Sequence, residues 1–262
     1  MSAGTERTNQ AFVQAALAGT RLAQVQWVSE TGSTNDDLVE RARHGGPEQV
    51  LIADLQTAGK GRRDRVWDAP AASGVLMSVL VRSVTPLDGF WSVGAIALAA
   101  SQAIGELTQS SCTLKWPNDV MLGAAGREKK VAGVLAQLVD NSVVVGIGIN
   151  ANWPDHVPNT MSERGTAVNL HTADRTTIDR AELAAAILQR GVRHLDMSRT
   201  ELRDAWKAQC STLGQHVRLE LQGRSIVGIA TDIAADGALQ IEENGVSSTH
   251  QVGDVVHLRA AR

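Results

Sequence analysis

The chain is short of several things that would mark particular kinds of protein. Its 262 residues contain two cysteines, Cys112 and Cys210, far apart and without CxxC spacing. Idle thiols in a reducing compartment are the simplest reading, and a single disulfide is the alternative. The seven histidines are scattered, with no i, i+4 pair of the kind that ligates zinc on a helix. No Gly-x-Ser-x-Gly elbow stands near a histidine, so a serine hydrolase has no support. No run of roughly 18 apolar residues is present, which argues against a membrane span. The opening MSAGTERTNQ lacks the basic-then-apolar layout of a secretory signal. A cytoplasmic location is therefore expected. Formal charge is −3, so the chain as a whole does not suggest a nucleic-acid binder.

Hydrophobic residues make up 43% and charged residues 20% of the chain, ordinary values for one large core or a large domain with a small one. Ala11–Leu22 reads as a weakly amphipathic helix and 24–28 as a short strand. Ser33 is placed to cap a helix running to about Arg43, with Asp36 in its first turn and Gly45–Gly46–Pro47 ending it. Val50–Leu55 and Val75–Val81 read as buried strands, and Phe90–Leu107 as a mostly buried helix. Thr113–Trp116, Val131–Val139 and Val143–Ile149 are further strands. Asp179 with Glu182 has the spacing of a capping box for a helix to about Leu195, and a last helix spans about Thr200–Gln209. From Leu213 the chain turns to short strands separated by Gly, Asp and Asn, which suits a small antiparallel barrel. Two domains are expected, 1–211 and 212–262.

Four segments carry chemistry. Gln56 to Ser73 is too long for a simple turn and contains Gly59-Lys60-Gly61-Arg62-Arg63-Asp64-Arg65-Val66-Trp67. Its glycines allow close backbone approach. Four cations within six positions should repel one another until a polyanion orders them, and Trp67 can stack on a flat group. This is not a Walker loop: Asp54 stands where the first glycine is required, and Gly61 replaces the magnesium-binding Ser/Thr. A short nucleic-acid patch and a solvated loop are the other readings. Lys115-Trp116-Pro117-Asn118-Asp119 puts two polar side chains at a strand end, where open α/β sheets bind ligands. Asp119 there can meet an ATP-borne metal, orient an amine or pair with a cation, and a plain Asx turn is the bland alternative. In Lys129-Lys130-Val131-Ala132-Gly133, a lysine before an apolar strand can face a forming negative charge. In Gly146-Ile147-Gly148-Ile149-Asn150, alternating glycines leave room for a ring whose edge Asn150 can read.

In order and spacing, Ser33-Thr34-Asn35, the Gly-Lys-Gly-Arg-Arg-x-Arg-x-Trp loop, Lys-Trp-Pro-Asn-Asp, Lys-x-Ala-Gly-Val-Leu and Gly-Ile-Gly-Ile-Asn resemble the biotin–protein ligases, in the form without an N-terminal DNA-binding domain. Gly253-Asp254-Val255 resembles the end of their small barrel, and the likeness covers about residues 25–259. It implies an α+β fold: a class II aminoacyl-tRNA-synthetase-like mixed sheet flanked by helices in a catalytic 1–211 domain, then an SH3-like barrel over 212–262. It implies ATP with Mg2+, biotin as substrate, and the biotin carboxyl carrier domain of a carboxylase as partner. Neither DNA nor membrane is expected as a partner, and the protein would be a monomer or homodimer.

The resemblance also implies roles. Ser33, Thr34, Gln56 and the Gly59 backbone would meet the ureido ring. Lys60, Arg62, Arg63 and Arg65 would hold phosphates, with Lys60 and Arg62 reaching biotin as well. Trp67 would pack on the adenylate, and Asn118 and Asp119 would serve ATP or the acceptor lysine. Lys130 would bridge carboxylate and phosphate, and Asn150 would lie near the adenine. The catalytic residues would be Lys130, Arg62 and Asp119. Two positions depart from the family, which usually has Arg at 60 and Gly at 64. Lys60 lacks the planar fork of arginine, and Asp64 can pair with a neighbouring Arg. The connection over 123–128 leaves the register of Lys129 and Lys130 ambiguous, and Lys130 is preferred because it abuts Val-Ala-Gly. A lipoate–protein ligase is the nearest rival, without this Arg-rich loop. About 24 residues precede the first strand, too few for a repressor's helix-turn-helix.

Overall fold

Alternation along one central strand sets out the whole architecture. In β7 (Ser142–Asn150), Val143, Val145, Ile147 and Ile149 point into the main core, while Val144 lies in a separate small core on the other face. The computed structural model describes residues 3–63, 65–82, 88–154, 163 and 165–258. Asp64 and residues 259–262, the end of the expected 212–262 domain, lie outside them.

The other strands of this sheet are β1 (Val25–Thr31), β2 (Gln49–Gln56), β3 (Gly74–Arg82), β4 (Cys112–Lys115), β5 (Asp119–Leu122) and β6 (Lys129–Val139). Their order is β1-β2-β3-β7-β6-β5-β4, with only β1 and β2 parallel. One face packs on α1 (Ala3–Ala16), α3 (Asp88–Thr108) and α4 (Arg180–Leu195), and α5 (Arg199–Ala208) packs on α3. The other face carries α2 (Thr34–Arg43). Its buried Leu38, Val39 and Ala42 meet Leu51, Leu80 and Val144, each large side chain contributing about 1.5–3 kcal/mol. Because α2 is short, the face over β6 and β7 beyond Val144 is left for the cleft.

Ser33 caps α2 as expected, its side chain accepting from the Asp36 amide at 3.5 Å. Asp179 caps α4 by accepting from Ala181 and Glu182 amides, at 2.8 and 3.1 Å. The two-way capping box is found instead at Ser198 and Glu201, ahead of α5. The helix expected over Ala11–Leu22 runs earlier. Gly19, at φ +76°, turns the chain, and Leu17 and Leu22 reach the core from that turn. α3 contains a stretch, Gly89–Thr108, long and apolar enough to cross a membrane by length and composition. Most of it is buried inside the protein, so its apolarity is that of a core helix.

β5 was not foreseen: a four-residue strand next to a Pro-Asn pair has the local pattern of a turn. Asp119 opens that strand opposite Lys115, so the segment is a hairpin and not an isolated Asx turn.

The C-terminal part forms a second sheet from β8 (His216–Leu221), β9 (Arg224–Ile233), β10 (Leu239–Glu243), β11 (Val246–His250) and β12 (Asp254–His257). Its order is β11-β10-β9-β8-β12, antiparallel throughout. It is seated on the first part by indole donors. Trp91 Nε1 donates to the Ala235 carbonyl at 2.8 Å and Trp116 Nε1 to the Gly237 carbonyl at 3.0 Å. This docking places the start of β12 beside the Arg-rich loop.

Candidate active site

A cleft of about 900 Å³ opens on the α2 side of the seven-stranded sheet. Ser33, Thr34, Gln56, Lys60, Arg62, Arg65, Trp67, Asn118, Asp119, Lys130 and Asn150 all line it. Its floor is the middle of the sheet, at Gly133, Leu135, Gly146 and Gly148, not the strand ends of an open parallel sheet. In a sheet that is mostly antiparallel there is no row of carboxyl ends to build on, so the face takes that role.

At the β2–β3 end, a buried polar chain joins three elements. Thr34 donates from its amide and its hydroxyl to Gln56 Oε1, at 2.8 and 2.9 Å. Its hydroxyl also meets Ser78 Oγ at 2.7 Å, and Ser78 Oγ donates to Asn35 Oδ1 at 2.6 Å. Asn35, which lines the cleft, and Ser78, which holds it from beneath, were not assigned roles from the sequence. The one available signal was a serine inside the otherwise apolar run of β3, because a buried polar residue needs partners.

The glycines of β7 do make space, but this chain's own side chains fill it. A Cβ on Gly146 would stand 2.1 Å from Asn35 Oδ1, and one on Gly148 would stand 2.4 Å from the Trp67 indole. Gly133 lies opposite Gly148, and a Cβ there would stand 3.1 Å from the same ring. The room expected for a ligand's ring at Gly148 is thus occupied by Trp67, whose Nε1 is buried without a hydrogen-bond partner. Asn150 is held by its Nδ2 donating to the Thr166 carbonyl at 3.0 Å.

Lys130 reaches the cleft because of a β-bulge. β5 and β6 pair Val120 with Ala132 but Met121 with Lys130, so Val131 is an extra residue. Strict alternation from Gly133 would send Lys130 to the core face. The bulge sends Val131 there, fully buried, and re-aims Lys130. Its ammonium is 2.7 Å from Asp119 Oδ1 and 5.5 Å from the Trp67 ring centroid. Lys129 is exposed and does not line the cleft.

The Arg-rich loop is ordered by its own backbone. Trp67 N donates to Gly59 O at 3.0 Å, Gly61 N to Arg65 O at 2.7 Å, and Lys60 bridges Val66. Gly59 is required: a Cβ would fall 2.3 Å from the Trp67 carbonyl. The expectation was that these cations repel one another and order around a polyanion; in the structure carboxylates from distant segments also meet them. Lys60 pairs with Asp36 at 2.7 Å. Arg63 reaches Asp254 at 3.1 Å and donates to the Glu220 carbonyl at 3.2 Å; Arg65 pairs with the same Asp254. Arg62 donates to Asn118 Oδ1 at 3.2 Å and to the Gly253 carbonyl at 3.4 Å, with Asp254 3.8 Å away. Burial, the largest influence, lowers the Arg62 pKa, and Asp254 opposes it. Asn118 is fixed in turn by donating to the Val134 carbonyl at 2.7 Å. Among the described residues no group of three His, Cys, Asp or Glu is placed to hold a metal. An ion arriving on a nucleotide would find Asp119 as a carboxylate in the cleft.

Comparison with known proteins gives the same picture from another direction. Residues 28–153 match the biotin/lipoate A/B protein ligase family, and residues 212–258 match the biotin protein ligase C terminal domain. The chain is 36% identical over 258 residues to the biotin–[acetyl-CoA-carboxylase] ligase of Mycobacterium tuberculosis, covering 92% of each chain. It is 30% identical over 224 residues to the bifunctional ligase/repressor BirA of Bacillus subtilis, covering 81% of this chain and 67% of that one. Among solved structures, the biotin protein ligase of Aquifex aeolicus in complex with biotin and ATP is similar at a TM-score of 0.76 and 28% identity. That match covers 90% of this chain and 99% of the other.

Proposed function

The chain belongs to the biotin protein ligases, and we infer from that premise which of its residues carry each half of the reaction. The enzyme is a carbon–nitrogen bond-forming, AMP-forming ligase. It activates biotin with Mg-ATP to biotinyl-5′-AMP and pyrophosphate, then passes the biotinyl group to a lysine of a biotin carboxyl carrier domain. In the first half the biotin carboxylate attacks the α-phosphorus and pyrophosphate departs. In the second a neutral amine attacks the acyl carbon and AMP departs.

The observation that carries this reading is the convergence of Lys60, Arg62, Arg65 and Lys130 on one cleft, with Arg63 outside its lining and joined to it through Asp254. We assign the ureido ring to the Ser33–Thr34–Gln56 end with the Gly59 backbone beside it. Thr34 and Gln56 are already hydrogen-bonded to each other, so this end is pre-organised. Lys130 lies where carboxylate and α-phosphate would meet, and its ammonium offsets the negative charge that builds there. Lys60, Arg62, Arg63 and Arg65 would exchange their carboxylate partners for phosphate oxygens. Trp67 would then cover the mixed anhydride against water, with Asn150 toward the adenine. Asp119 holds Lys130 in place and faces the incoming amine, and Asn118 positions Arg62. Positioned cations suffice for acyl activation of this kind, so no nucleophilic side chain is needed.

The test is incubation of the full chain with labelled biotin, Mg-ATP and an isolated carrier domain. Label should become covalently attached to the carrier lysine only when ATP is present. Attachment without ATP, or ATP consumption without attachment, would refute the reading.

A further inference from the structure

Every cation that the proposed mechanism uses already has a carboxylate partner: Lys60 with Asp36, the three loop arginines with Asp254, and Lys130 with Asp119. Among the described residues, one cation lining the cleft does not. Lys115, the last residue of β4, lines the cleft and is half-buried. Its cross-strand neighbour is Asp119, yet that carboxylate is engaged by Lys130. Among the described residues the Lys115 ammonium makes no ion pair and donates no hydrogen bond. Burial, the largest influence, holds it below the ordinary lysine value; Lys130 adds to that, while Asp119 and Asp254 oppose it. A desolvated cation without a counter-ion is costly to maintain. It is retained most readily where a ligand supplies the missing charge.

Strand order says which part of a ligand that would be. From Gln56 on β2 and Met77 on β3, the cleft crosses β7 and β6 to Lys130, then β5 with Asp119, and ends at β4 with Lys115. Adjacent strands are about 4.8 Å apart. Lys115 therefore lies two strands beyond Lys130, on the side away from Thr34 and Gln56. An acyl nucleotide lying across the strands with its acyl end at Thr34 would have its reacting phosphate at Lys130. Only what extends beyond that phosphate can reach β4.

We propose that Lys115 is a further catalytic residue of the activation step, binding the two terminal phosphates of the nucleoside triphosphate and neutralising pyrophosphate as it leaves. This rests on the ligase reading above. In the step, a carboxylate oxygen forms a bond to the α-phosphorus. The bond from that phosphorus to the bridging oxygen breaks, and its electron pair leaves with pyrophosphate. No proton moves, and Lys115 stays an ammonium throughout. Once pyrophosphate has gone, the transfer step has no charge at this position to stabilise.

The two half-reactions separate under test. Pyrophosphate release from biotin and Mg-ATP is measured for the unaltered chain, Lys115→Met and Lys115→Arg. Transfer from supplied biotinyl-5′-AMP to the carrier domain is measured for the same three. Lys115→Met should slow activation or raise the KM for ATP by about tenfold or more, as loss of one charged contact to a transition state does. It should leave transfer within about twofold, and Lys115→Arg should recover most of the activation rate. Normal activation in Lys115→Met would overturn the proposal. So would equal loss in both half-reactions with no rescue by arginine, which is the mark of a purely structural role. An unaltered chain that forms no adenylate would refute the ligase reading itself, a result separable from any behaviour of the variants.

Discussion

Replacing Lys130 by methionine keeps most of the side chain's bulk and removes its charge, and the structure sets the size of the effect. A unit charge about 4 Å from a phosphate oxygen is worth about 4 kcal/mol at an effective dielectric of about 20. Lys130 and Asp119 are 33% and 27% exposed, so solvent screens part of this, leaving about 2 kcal/mol. A second contribution comes from Asp119. Deprived of the ammonium 2.7 Å away, its carboxylate would face the incoming polyanion unpaired, adding about 1 kcal/mol. The sum, about 3 kcal/mol, corresponds to about 150-fold in rate. The assay is the initial rate of pyrophosphate release at saturating biotin and Mg-ATP. Lys130→Met combined with Asp119→Asn should regain about fivefold over Lys130→Met alone, because the orphaned carboxylate is gone. A Lys130→Met rate within about threefold of the unaltered chain would refute the assignment. A double variant no faster than the single one would refute the electrostatic account of Asp119.

Gly148→Ala places a methyl 2.4 Å from the Trp67 indole and must push the ring off the sheet. The KM for ATP should rise about fivefold or more, with a shift in tryptophan emission that is absent when Trp67→Phe is the background. Arg180→Met leaves Asp54 buried without its ion pair, in which the side chains are 8% and 6% exposed. Urea denaturation should show a loss of about 3–5 kcal/mol, and a loss below about 1 kcal/mol would contradict the role given to the pair. Burial, the largest influence, holds His171, His194 and His250 below the ordinary value of 6.5, so the unfolded chain takes up protons first on acidification. Stability from these groups is present above pH 6.5 and is lost as pH falls from there toward their folded values. The urea midpoint should therefore drop between about pH 7.5 and 5.5.

Local periodicity accounts for the parts of this fold that were legible beforehand. Val143 to Ile149 is a β-branched run interrupted only by glycines, and the cap at Ser33 needs only its own helix, so both can be read from neighbouring residues. The small C-terminal sheet shows itself by regularly spaced turns. β5 escaped because four residues beside a proline carry no periodic signal. The bulge at Val131 escaped for a different reason: it depends on how β6 pairs with a strand that was itself unrecognised. Lys130 could be favoured over Lys129 by motif, but the geometric cause of its orientation lies in that pairing. The Arg-rich loop was legible as a cation cluster. Its partner Asp254 stands 189 residues beyond Arg65, and no local pattern joins two positions so distant. Glycines 146 and 148 were read as leaving room for a ligand's ring, but the side chains that fill that room, Asn35 and Trp67, are set by tertiary packing.

Exposure separates two uses of the same ion-pair chemistry in this molecule. Asp54 and Arg180 are buried, and the Trp27 indole donates to the same carboxylate at 2.9 Å. Breaking that contact strands a charge away from water, so it can act only as a fixed strut between β2 and α4. Around the cleft the pairs are shallower. Lys60 and Asp36 are 48% and 44% exposed, and Arg63 and Arg65 are 40% and 62% exposed where they meet Asp254. Pairs of that kind are worth about 0–1 kcal/mol each. That is enough to keep four clustered cations from repelling one another, and little enough for a phosphate to replace the carboxylate. The three carboxylates concerned, Asp36, Asp119 and Asp254, come from α2, β5 and β12, so each holds its cation from a different side of the cleft. Under the proposed roles, a chain with net charge −3 would thereby keep a strongly cationic loop paired and still release its cations to phosphate. Among the described residues Lys115 is the cleft-lining cation outside this arrangement, and under the proposal above the nucleotide's terminal phosphates would supply its partner.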